Sequence, residues 1–304
     1  MTRIFVTGAA GFVGRRLVAR LVAAGHEVAG LVHGTGRPAL DPDGEGTGWQ
    51  AVMGDLLIPR DYEPALEGVD TVIHAAAATG KATPEHHWRV NVEGTAHLLD
   101  AARRHNVRRV VHVSSIAVRF RHTKRYPYAQ AKQEAERLVL ASGLDTVVLR
   151  PTIIVGPGAP VLQALERLAR LPIIPVFGDG RAKVQPVFVE DAVGAMVAAA
   201  ETDRRWTAPL DLGGPERLTI EAFLRAIARA RGHVRRRTVH LPLSLVIPPL
   251  IVGEAVAFRF MPLTVGQLAT FRCDGIGDLP PDFPPDAVPR TGVAQMLERS
   301  IADE

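Results

Sequence analysis

The feature that most constrains this chain is a glycine-rich segment near its start, Thr7-Gly8-Ala9-Ala10-Gly11-Phe12-Val13-Gly14. It follows a short β-branched run and precedes an amphipathic helical pattern, so its glycines fall in a strand-to-helix turn. There Gly8 permits the tight turn, Gly11 lets the backbone approach a pyrophosphate, and Gly14 lets the helix pack on the sheet. Because the helix N-terminus adds partial positive charge, the pattern favours dinucleotide binding over a plain structural turn.

Runs rich in β-branched residues alternate with amphipathic helical patterns as far as about residue 200, which is typical of βαβ units. The predicted strands are Arg3–Thr7, Glu27–Val32, Gln50–Met53, Thr71–His74, Arg109–Val113 and Thr146–Arg150. The predicted helices between them are Phe12–Ala24, Tyr62–Leu66, Glu85–Arg104 and Tyr128–Ser142. This order predicts an α/β fold of the Rossmann type, with a doubly wound parallel sheet.

After Pro151, glycines and prolines interrupt the periodicity, which indicates a smaller C-terminal substrate lobe. We expect a dinucleotide-binding domain over residues 1–155, to which strands return between about 184 and 213, and a mainly substrate-binding lobe over 156–304. The predicted helices of this part are Val161–Leu171, Val189–Glu201, Thr219–Ala230, Pro242–Met261 and one after an extended linker at 280–289. The predicted strands lie near Val184–Phe188 and Pro209–Gly213.

Composition excludes several classes of function. The 36 Lys and Arg residues exceed the 32 Asp and Glu residues by only four and are scattered, so no nucleic-acid site is expected. The single Cys273 excludes an intrachain disulfide and a cysteine metal cluster, and it fits a reducing compartment. The N-terminus lacks the pattern of a signal peptide, so we expect a cytoplasmic protein.

One apolar stretch, Leu241–Val265, resembles a membrane segment in composition, but prolines and charges interrupt it. We expect a lid or pocket helix there and no stable membrane anchor, although contact with a membrane interface stays open. Its large apolar side chains favour an apolar substrate if they form a lid, and the alternative is that they are core residues. These side chains are Leu245, Ile247, Leu250, Ile251, Val256, Phe258 and Phe260.

A second group of candidate functional residues follows the strand predicted over Arg109–Val113. Ser114 and Ser115 come directly after it, and Tyr128 and Lys132 come next, four positions apart. On a helix this spacing places both side chains on one face, where the ammonium should favour the phenolate and lower the pKa of the phenol. A serine hydroxyl nearby could orient a substrate oxygen towards the phenol, so the set predicts acid–base chemistry on oxygen.

The end of the second predicted strand bears on the choice between NADP and NAD. Val32 stands where an NAD-binding protein would place a carboxylate for the ribose 2′-hydroxyl. His33 and Arg37 could instead meet a 2′-phosphate, so NADP is preferred; the alternative is an arginine in solvent and a histidine stacked on adenine. Asp55 could accept from the adenine amino group or cap the segment that follows it.

In their order along the chain, these motifs resemble those of the extended or atypical short-chain dehydrogenase/reductase superfamily, in the NAD-dependent epimerase/dehydratase group. The resemblance covers nearly the whole length. Besides the glycine turn and the Ser, Tyr and Lys set, it rests on Asp55-Leu56, Asp70-Thr71-Val72-Ile73-His74-Ala75-Ala76-Ala77, Asn91-Val92-Glu93-Gly94-Thr95, Leu149-Arg150-Pro151, Gly156-Pro157-Gly158 and Phe188-Val189-Glu190-Asp191.

The resemblance implies a role for each matching residue. Tyr128 would be the catalytic acid or base, and Lys132 would hold the nicotinamide ribose and tune the tyrosine. Ser115, rather than Ser114, would orient the substrate oxygen, and Asn91 would hold the backbone or a water near the nicotinamide. The residues implied in cofactor binding are Gly8, Gly11, Phe12, Val13, Gly14, His33, Arg37, Asp55, Leu56, Ala75, Ala76, Ala77, Tyr128, Lys132, Pro151 and Ile153.

The function implied is an NAD(P)-dependent oxidoreductase that transfers hydride between nicotinamide and a secondary alcohol or ketone of a small, apolar substrate. Two alternatives stay open: an epimerase or dehydratase acting on a sugar nucleotide, and a catalytically silent cofactor-binding protein. No metal is expected, because the histidine spacing matches no ligand pattern. A homodimer through the helices at Glu85–Arg104 and Tyr128–Ser142 is compatible with the resemblance.

The segment between Ser115 and Tyr128 is shorter than in most epimerases and dehydratases of the family, and it carries a basic cluster. We therefore expect an altered pocket entrance. The cluster consists of Arg119, Arg121, His122, Lys124 and Arg125.

Overall fold

The computed structural model describes residues 1–34, 49–121, 123–261 and 263–301. Arg37 and His122, two of the candidates named above, lie outside the described residues. The strands are β1 Arg3–Thr7, β2 Glu27–Val32, β3 Trp49–Met53, β4 Thr71–His74, β5 Arg109–Val113, β6 Asp145–Pro151, β7 Ile154–Val155, β8 Ile173–Phe177, β9 Lys183–Val184, β10 Val187–Phe188, β11 Leu210–Leu212, β12 Leu218–Thr219 and β13 Arg237–Leu241.

The helices cover both faces of the sheet and build the C-terminal part. They are α1 Gly14–Ala23, α2 Pro84–Trp88, α3 Gly94–Arg104, α4 Pro127–Leu140, α5 Pro160–Ala169, α6 Val189–Glu201, α7 Ile220–Ala230, α8 Leu243–Ala257 and α9 Val293–Ile301.

Among the described residues, seven strands form one parallel sheet in the order β11-β6-β5-β4-β1-β2-β3. The chain leaves β1 in one direction to form β2 and β3, and then returns to form β4 on its other side. This reversal is the switch point of a doubly wound sheet, where a crevice opens beyond the carboxyl ends of the strands. In the parallel register, Thr7 pairs with His74 across that point.

The side chains of β1 show how the sheet is buried on both faces. Ile4 and Val6 belong to one buried cluster, which also includes α1, α6 and much of the C-terminal part. Phe5 belongs to a second cluster, together with side chains of α3 and α4. An apolar run without alternation therefore marks a central parallel strand.

The predicted fold class is confirmed, and four of the predicted strands have the bounds expected from the sequence. The expected single helix over Glu85–Arg104 is wrong in detail, because a π-helical turn at Arg89–Glu93 separates α2 from α3. The helix expected at Tyr62–Leu66 is a short 3₁₀ helix, Glu63–Leu66. The glycine turn also delays the first helix, which begins at Gly14 rather than Phe12.

The described part of the C-terminal half contains three pairings that the sequence did not predict, β7 with β10, β9 with β12 and β8 with β13. β8 and β13 form a small parallel sheet, with Ile173 opposite Arg237 at its start. The helix expected after the proline-rich segment is present as α9. None of the helices in the described ranges combines the length and the hydropathy that a membrane-spanning segment needs.

Candidate active site

The glycine turn joins β1 to α1 at the switch point of the sheet. Gly8 has a φ of +71°, and a Cβ there would lie 2.8 Å from the backbone N and Cα atoms of Ala76. A Cβ on Gly14 would lie 1.9 Å from the carbonyl oxygen of Gly8. Gly14 thus lets the helix pack directly on the turn, and the turn leaves its backbone open as a cradle for an anion.

A directed chain of hydrogen bonds connects this turn with the helix beside β4. The Thr95 hydroxyl donates to the backbone carbonyl of Asn91 at 2.7 Å, so it accepts from Nε2 of His74 at 2.9 Å. Neutral His74 then accepts through Nδ1 from the Thr7 hydroxyl at 2.7 Å, and the Thr7 oxygen accepts from the Ala76 N–H at 3.1 Å. Burial lowers the pKa of His74 to about 3, which fits this neutral tautomer.

Asn91 lies in the π-helical turn and is buried, and its side chain is paired at both ends. Its Oδ1 accepts from the Ala78 N–H at 2.9 Å, and its Nδ2 donates to the Ala78 carbonyl at 3.0 Å. Nδ1 of His87 lies 3.2 Å from the same carbonyl, and the His87 ring meets the Tyr128 ring edge-on at 5.8 Å. Asn91 therefore holds the backbone of Ala78 in place, and sequence reasoning missed His87.

The side chains of Ser114 and Ser115, which follow β5, have different hydrogen-bond partners. The Ser114 hydroxyl donates to the buried Glu136 carboxylate on α4. The same carboxylate receives Nη2 and Nε of Arg150, at 2.5 Å and 2.9 Å. Sequence reasoning missed this group, because it joins α4 to β6 through a pairing that no local pattern reveals.

The structure brings Ser115 and Tyr128 together, and Lys132 lies one helical turn after Tyr128 on α4. Ser115 Oγ accepts from the Ala117 N–H at 3.2 Å and also hydrogen bonds with Tyr128. Burial raises the pKa of the Tyr128 phenol, and the bond with Ser115 lowers it by less. The expected lowering by Lys132 is wrong for this structure, since Lys132 Nζ donates to the Val113 carbonyl at 2.7 Å instead. Burial lowers the pKa of Lys132 to about 8.

The residues expected at the adenine end lie after β2 and β3. His33 is 77% exposed, and its Nδ1 is 3.9 Å from Oδ2 of Asp55. The other oxygen of Asp55 accepts from the Leu57 N–H at 2.9 Å, and the Asp61 carboxylate accepts from the Asp55 N–H at 3.1 Å. Asp55 therefore closes the turn after β3 with its side chain, whereas the N-cap of the next short helix is Ile58.

The remaining candidates fit a bound dinucleotide. The small side chains of Ala75, Ala76 and Ala77 are half-buried beside the glycine turn, and Phe12 is held under the Arg16 guanidinium at 4.8 Å. Val13 and Ile153 are half-buried as well, whereas Leu56 and Pro151 are buried. A cradle without side chains, a helix N-terminus and a wall of alanines suit a pyrophosphate and a flat ring.

A cavity of about 620 Å³ opens at the expected pocket entrance, between the segment before Tyr128 and the C-terminal part. It combines cationic and apolar walls. The lining residues are Arg121, Thr123, Lys124, Arg125, Gln130, Ile247, Val265, Gly266, Ala269 and Arg272. Within the described part of the chain, no group of three or more His, Cys, Asp or Glu side chains is placed to hold a metal ion.

The doubly wound sheet, its glycine turn and the group of Ser115, Tyr128 and Lys132 define a dinucleotide-binding protein of the short-chain dehydrogenase/reductase type. A family model described as the NAD dependent epimerase/dehydratase family matches residues 4–210, which is more than half of the chain. The chain belongs to this family, so the predicted resemblance is confirmed.

Curated relatives include reductases. The chain is 34% identical over 223 residues to a 2-alkyl-3-oxoalkanoate reductase of Stenotrophomonas maltophilia, covering 66% of this chain and 65% of that protein. It is 31% identical over 240 residues to a ceramide reductase of Caulobacter vibrioides, covering 79% and 73% of the two chains. The match therefore spans slightly less than two thirds of the first of these relatives.

Solved structures share the fold over the full length. The crystal structure of gox2253 superposes with a TM-score of 0.76 at 25% identity, covering 99% of this chain and 97% of that one. A UDP-glucuronic acid 4-epimerase from Bacillus cereus, in complex with UDP-glucuronic acid and NAD, gives 0.75 at 21% identity and 98% coverage of both chains. The second likeness supports the fold alone.

Proposed function

We propose that this protein is an NAD(P)-dependent reductase that interconverts a ketone and a secondary alcohol on a small, apolar substrate. The observation that carries the proposal is the contrast between the two serines after β5. Glu136 engages the hydroxyl of Ser114, whereas the hydroxyl of Ser115 turns to Tyr128. A hydroxyl and a phenol that converge at one point can hold and protonate the same substrate oxygen.

The residues of the chain divide the work around that oxygen. A nicotinamide held beside Tyr128 and Lys132 would supply or accept the hydride at the substrate carbon. Ser115 positions the carbonyl oxygen by hydrogen bonding, and Tyr128 donates its phenolic proton as negative charge develops there. The raised pKa of Tyr128 keeps the proton on the phenol at neutral pH, which suits the direction of reduction. Lys132 is protonated below about pH 8 and contributes positive charge beside this group.

The same proposal places the cofactor along the switch point of the sheet. The glycine turn would hold the pyrophosphate, and Ala75 to Ala77 would line its path to the nicotinamide end. We propose NADP as the preferred cofactor, because Val32 offers no carboxylate at the ribose and the exposed His33 can face a 2′-phosphate. The proposed reduction can proceed with either NADP or NAD.

Two observations favour an apolar ketone as substrate. The relatives described above are named as reductases of 2-alkyl-3-oxoalkanoates and of ceramide, which carry alkyl chains. A helix, α8, also forms where a lid or pocket helix was expected, and its Ile247 lines the entrance cavity. The alternative that these apolar residues are simply core fits Leu250, which is buried, and Ile251, which packs against the core, but not Leu245 and Val256, which are exposed.

The test begins with fluorescence titration of the purified protein with NADPH and NADH, followed by nicotinamide absorbance with a series of 2-alkyl-3-oxo acids. Stoichiometric loss of NADPH absorbance with one or more of them would support the proposal. Product formed from a sugar nucleotide without net change in absorbance would instead indicate an epimerase or dehydratase. A folded, cofactor-free protein that binds neither nucleotide would overturn the dinucleotide site.

A further inference from the structure

Helix α8 presents an apolar face to solvent. Three of its residues, Leu245, Val252 and Val256, are 71%, 63% and 80% exposed. Together with the other exposed apolar residues of α8, these three recur at the spacing of one side of a helix. We call this side the outer face of α8. It consists of Leu245, Pro248, Pro249, Val252, Ala255 and Val256. A surface helix of a water-soluble domain normally turns charged and polar side chains to this side.

The orientation of α8 is fixed by its inner side. Glu254, the only charged residue in the sequence of this helix, accepts the backbone N–H of Val265 at 2.5 Å. Leu250 is buried, and Ile247 and Ile251 pack against the large core cluster. The charged group of the helix thus faces the protein while most of the outward side chains are apolar, so a simple rotation of α8 would break contacts on its inner side.

Exposed cations lie close to α8. Ile247, which directly precedes Pro248 of the outer face, shares the wall of the entrance cavity with the exposed residues Arg121, Lys124, Arg125 and Arg272. None of these four cations pairs with a carboxylate of the described residues. Exposed cations next to an apolar helix face make a surface that matches a layer of anionic headgroups above hydrocarbon.

We infer that the outer face of α8 and the adjacent cations dock this protein on an anionic lipid membrane. The helix has 15 residues and is about 22 Å long, shorter than the ~30 Å hydrocarbon core, so it would lie in the interface plane. Its apolar face would enter the boundary between headgroups and acyl chains, while the cations would meet phosphates.

Charge favours a membrane over a second copy of the chain on this surface. A twofold contact through α8 would bring the same patch of both copies together, and with it two identical sets of cations. An anionic bilayer supplies the opposite charge and an apolar layer at once. The inference concerns this surface alone and does not depend on which reaction the active site performs.

The test is flotation of the purified protein with phosphatidylcholine vesicles that do or do not contain phosphatidylglycerol. We expect binding to the anionic vesicles that weakens as salt is added. The double variant Val252→Glu/Val256→Glu should bind at least about tenfold more weakly, because two exposed apolar anchors are lost. The matched control is Val234→Glu, since Val234 is 70% exposed in the turn after α7 and should leave binding unchanged.

The contribution of charge is tested with Lys124→Gln/Arg272→Gln, which should weaken binding to anionic vesicles by about tenfold or more. Arg60→Gln, at another exposed arginine, is the control. Equal binding to neutral and anionic vesicles would overturn the inference, as would no binding by folded protein. A third outcome would show that a second copy of the chain covers α8. In that case the unmodified protein would not bind vesicles and would form concentration-dependent dimers in ultracentrifugation, and the double glutamate variant would not form them.

Discussion

Lys132 donates a hydrogen bond from Nζ to the backbone carbonyl of Val113 at 2.7 Å, in surroundings that leave only 1% of the lysine exposed. Burial lowers the pKa of this lysine to about 8, and the nearby Glu136 carboxylate opposes the shift. The charge that the proposed mechanism requires beside Tyr128 is therefore lost in mildly alkaline solution.

We predict that kcat/KM for ketone reduction falls as pH rises through about 8, because Lys132 loses its proton there. Lys132→Arg, which stays charged, should remove this decline even if its activity is lower. The folded state binds fewer protons than the unfolded state between about 8 and the ordinary lysine value of 10.5, so stability should rise over the same range. A pH–rate profile and urea titrations measure the two effects, and parallel declines in the two proteins would contradict the assignment.

Tyr128→Phe should lower kcat by about 100-fold or more, because it removes the proposed proton donor. Tyr126→Phe is the matched control, since the Tyr126 ring lies only 5.8 Å from that of Tyr128 and is half-buried as well. The control should retain activity within a few fold. Binding of NADPH should survive in both variants, and equal loss of turnover in the two would disprove the special role of Tyr128.

The two serines after β5 offer a second matched pair. Ser115→Ala should lower kcat by about 100-fold or more, because the substrate oxygen loses a hydrogen-bond donor. Ser114→Ala should cost about 1–3 kcal/mol of stability, because the buried Glu136 loses a donor, while activity stays within a few fold. Ser115→Ala also loses the helix cap that its hydroxyl forms with the Ala117 N–H, which is worth ~1 kcal/mol. Denaturant titration therefore shows whether the two serine variants have comparable stability, so that the difference in kcat can be assigned to the site.

Alanine substitutions at two glycines should have opposite effects on stability. Gly14→Ala places a Cβ 1.9 Å from the Gly8 carbonyl, so it should destabilise the protein by about 2 kcal/mol or more and weaken NADPH binding. Gly194 lies inside α6, where a Cβ would have no heavy atom within 4 Å, so Gly194→Ala should stabilise by about 0.5–1 kcal/mol. Thermal melts with and without NADPH distinguish these results from a general sensitivity to alanine.

Much of the first 150 residues could be predicted because local patterns carry the information. β1, β2, β4 and β5 are short β-branched runs bounded by turn residues, and glycines locate the turn before α1. The pairing of β8 with β13 could not be predicted, since Pro172 and Pro175 interrupt one partner and three arginines lead into the other. The π-helical turn was also missed, because one extra residue in a turn hardly changes the apolar spacing.

In the candidate site, too, local patterns could be read from the sequence and long-range contacts could not. Ser115, Tyr128 and Lys132 were identified because their spacing and order have a chemical meaning. Glu136 was missed, since its partners Ser114 and Arg150 come from elements that only the folded chain brings together. Burial likewise reversed the expected pKa shift of the phenol, because no spacing rule reports the loss of water around a side chain.

The hydrogen-bond chain through His74 has a mechanical consequence. It ties Thr7, at the end of β1, through His74 to Thr95 on α3, whose hydroxyl donates to Asn91 in the π-helical turn. A displacement of Thr7 on cofactor binding would therefore be transmitted through His74 to Thr95. Thr7 and Thr95 should respond as one cooperative unit, with a coupling free energy that a double-mutant cycle can resolve.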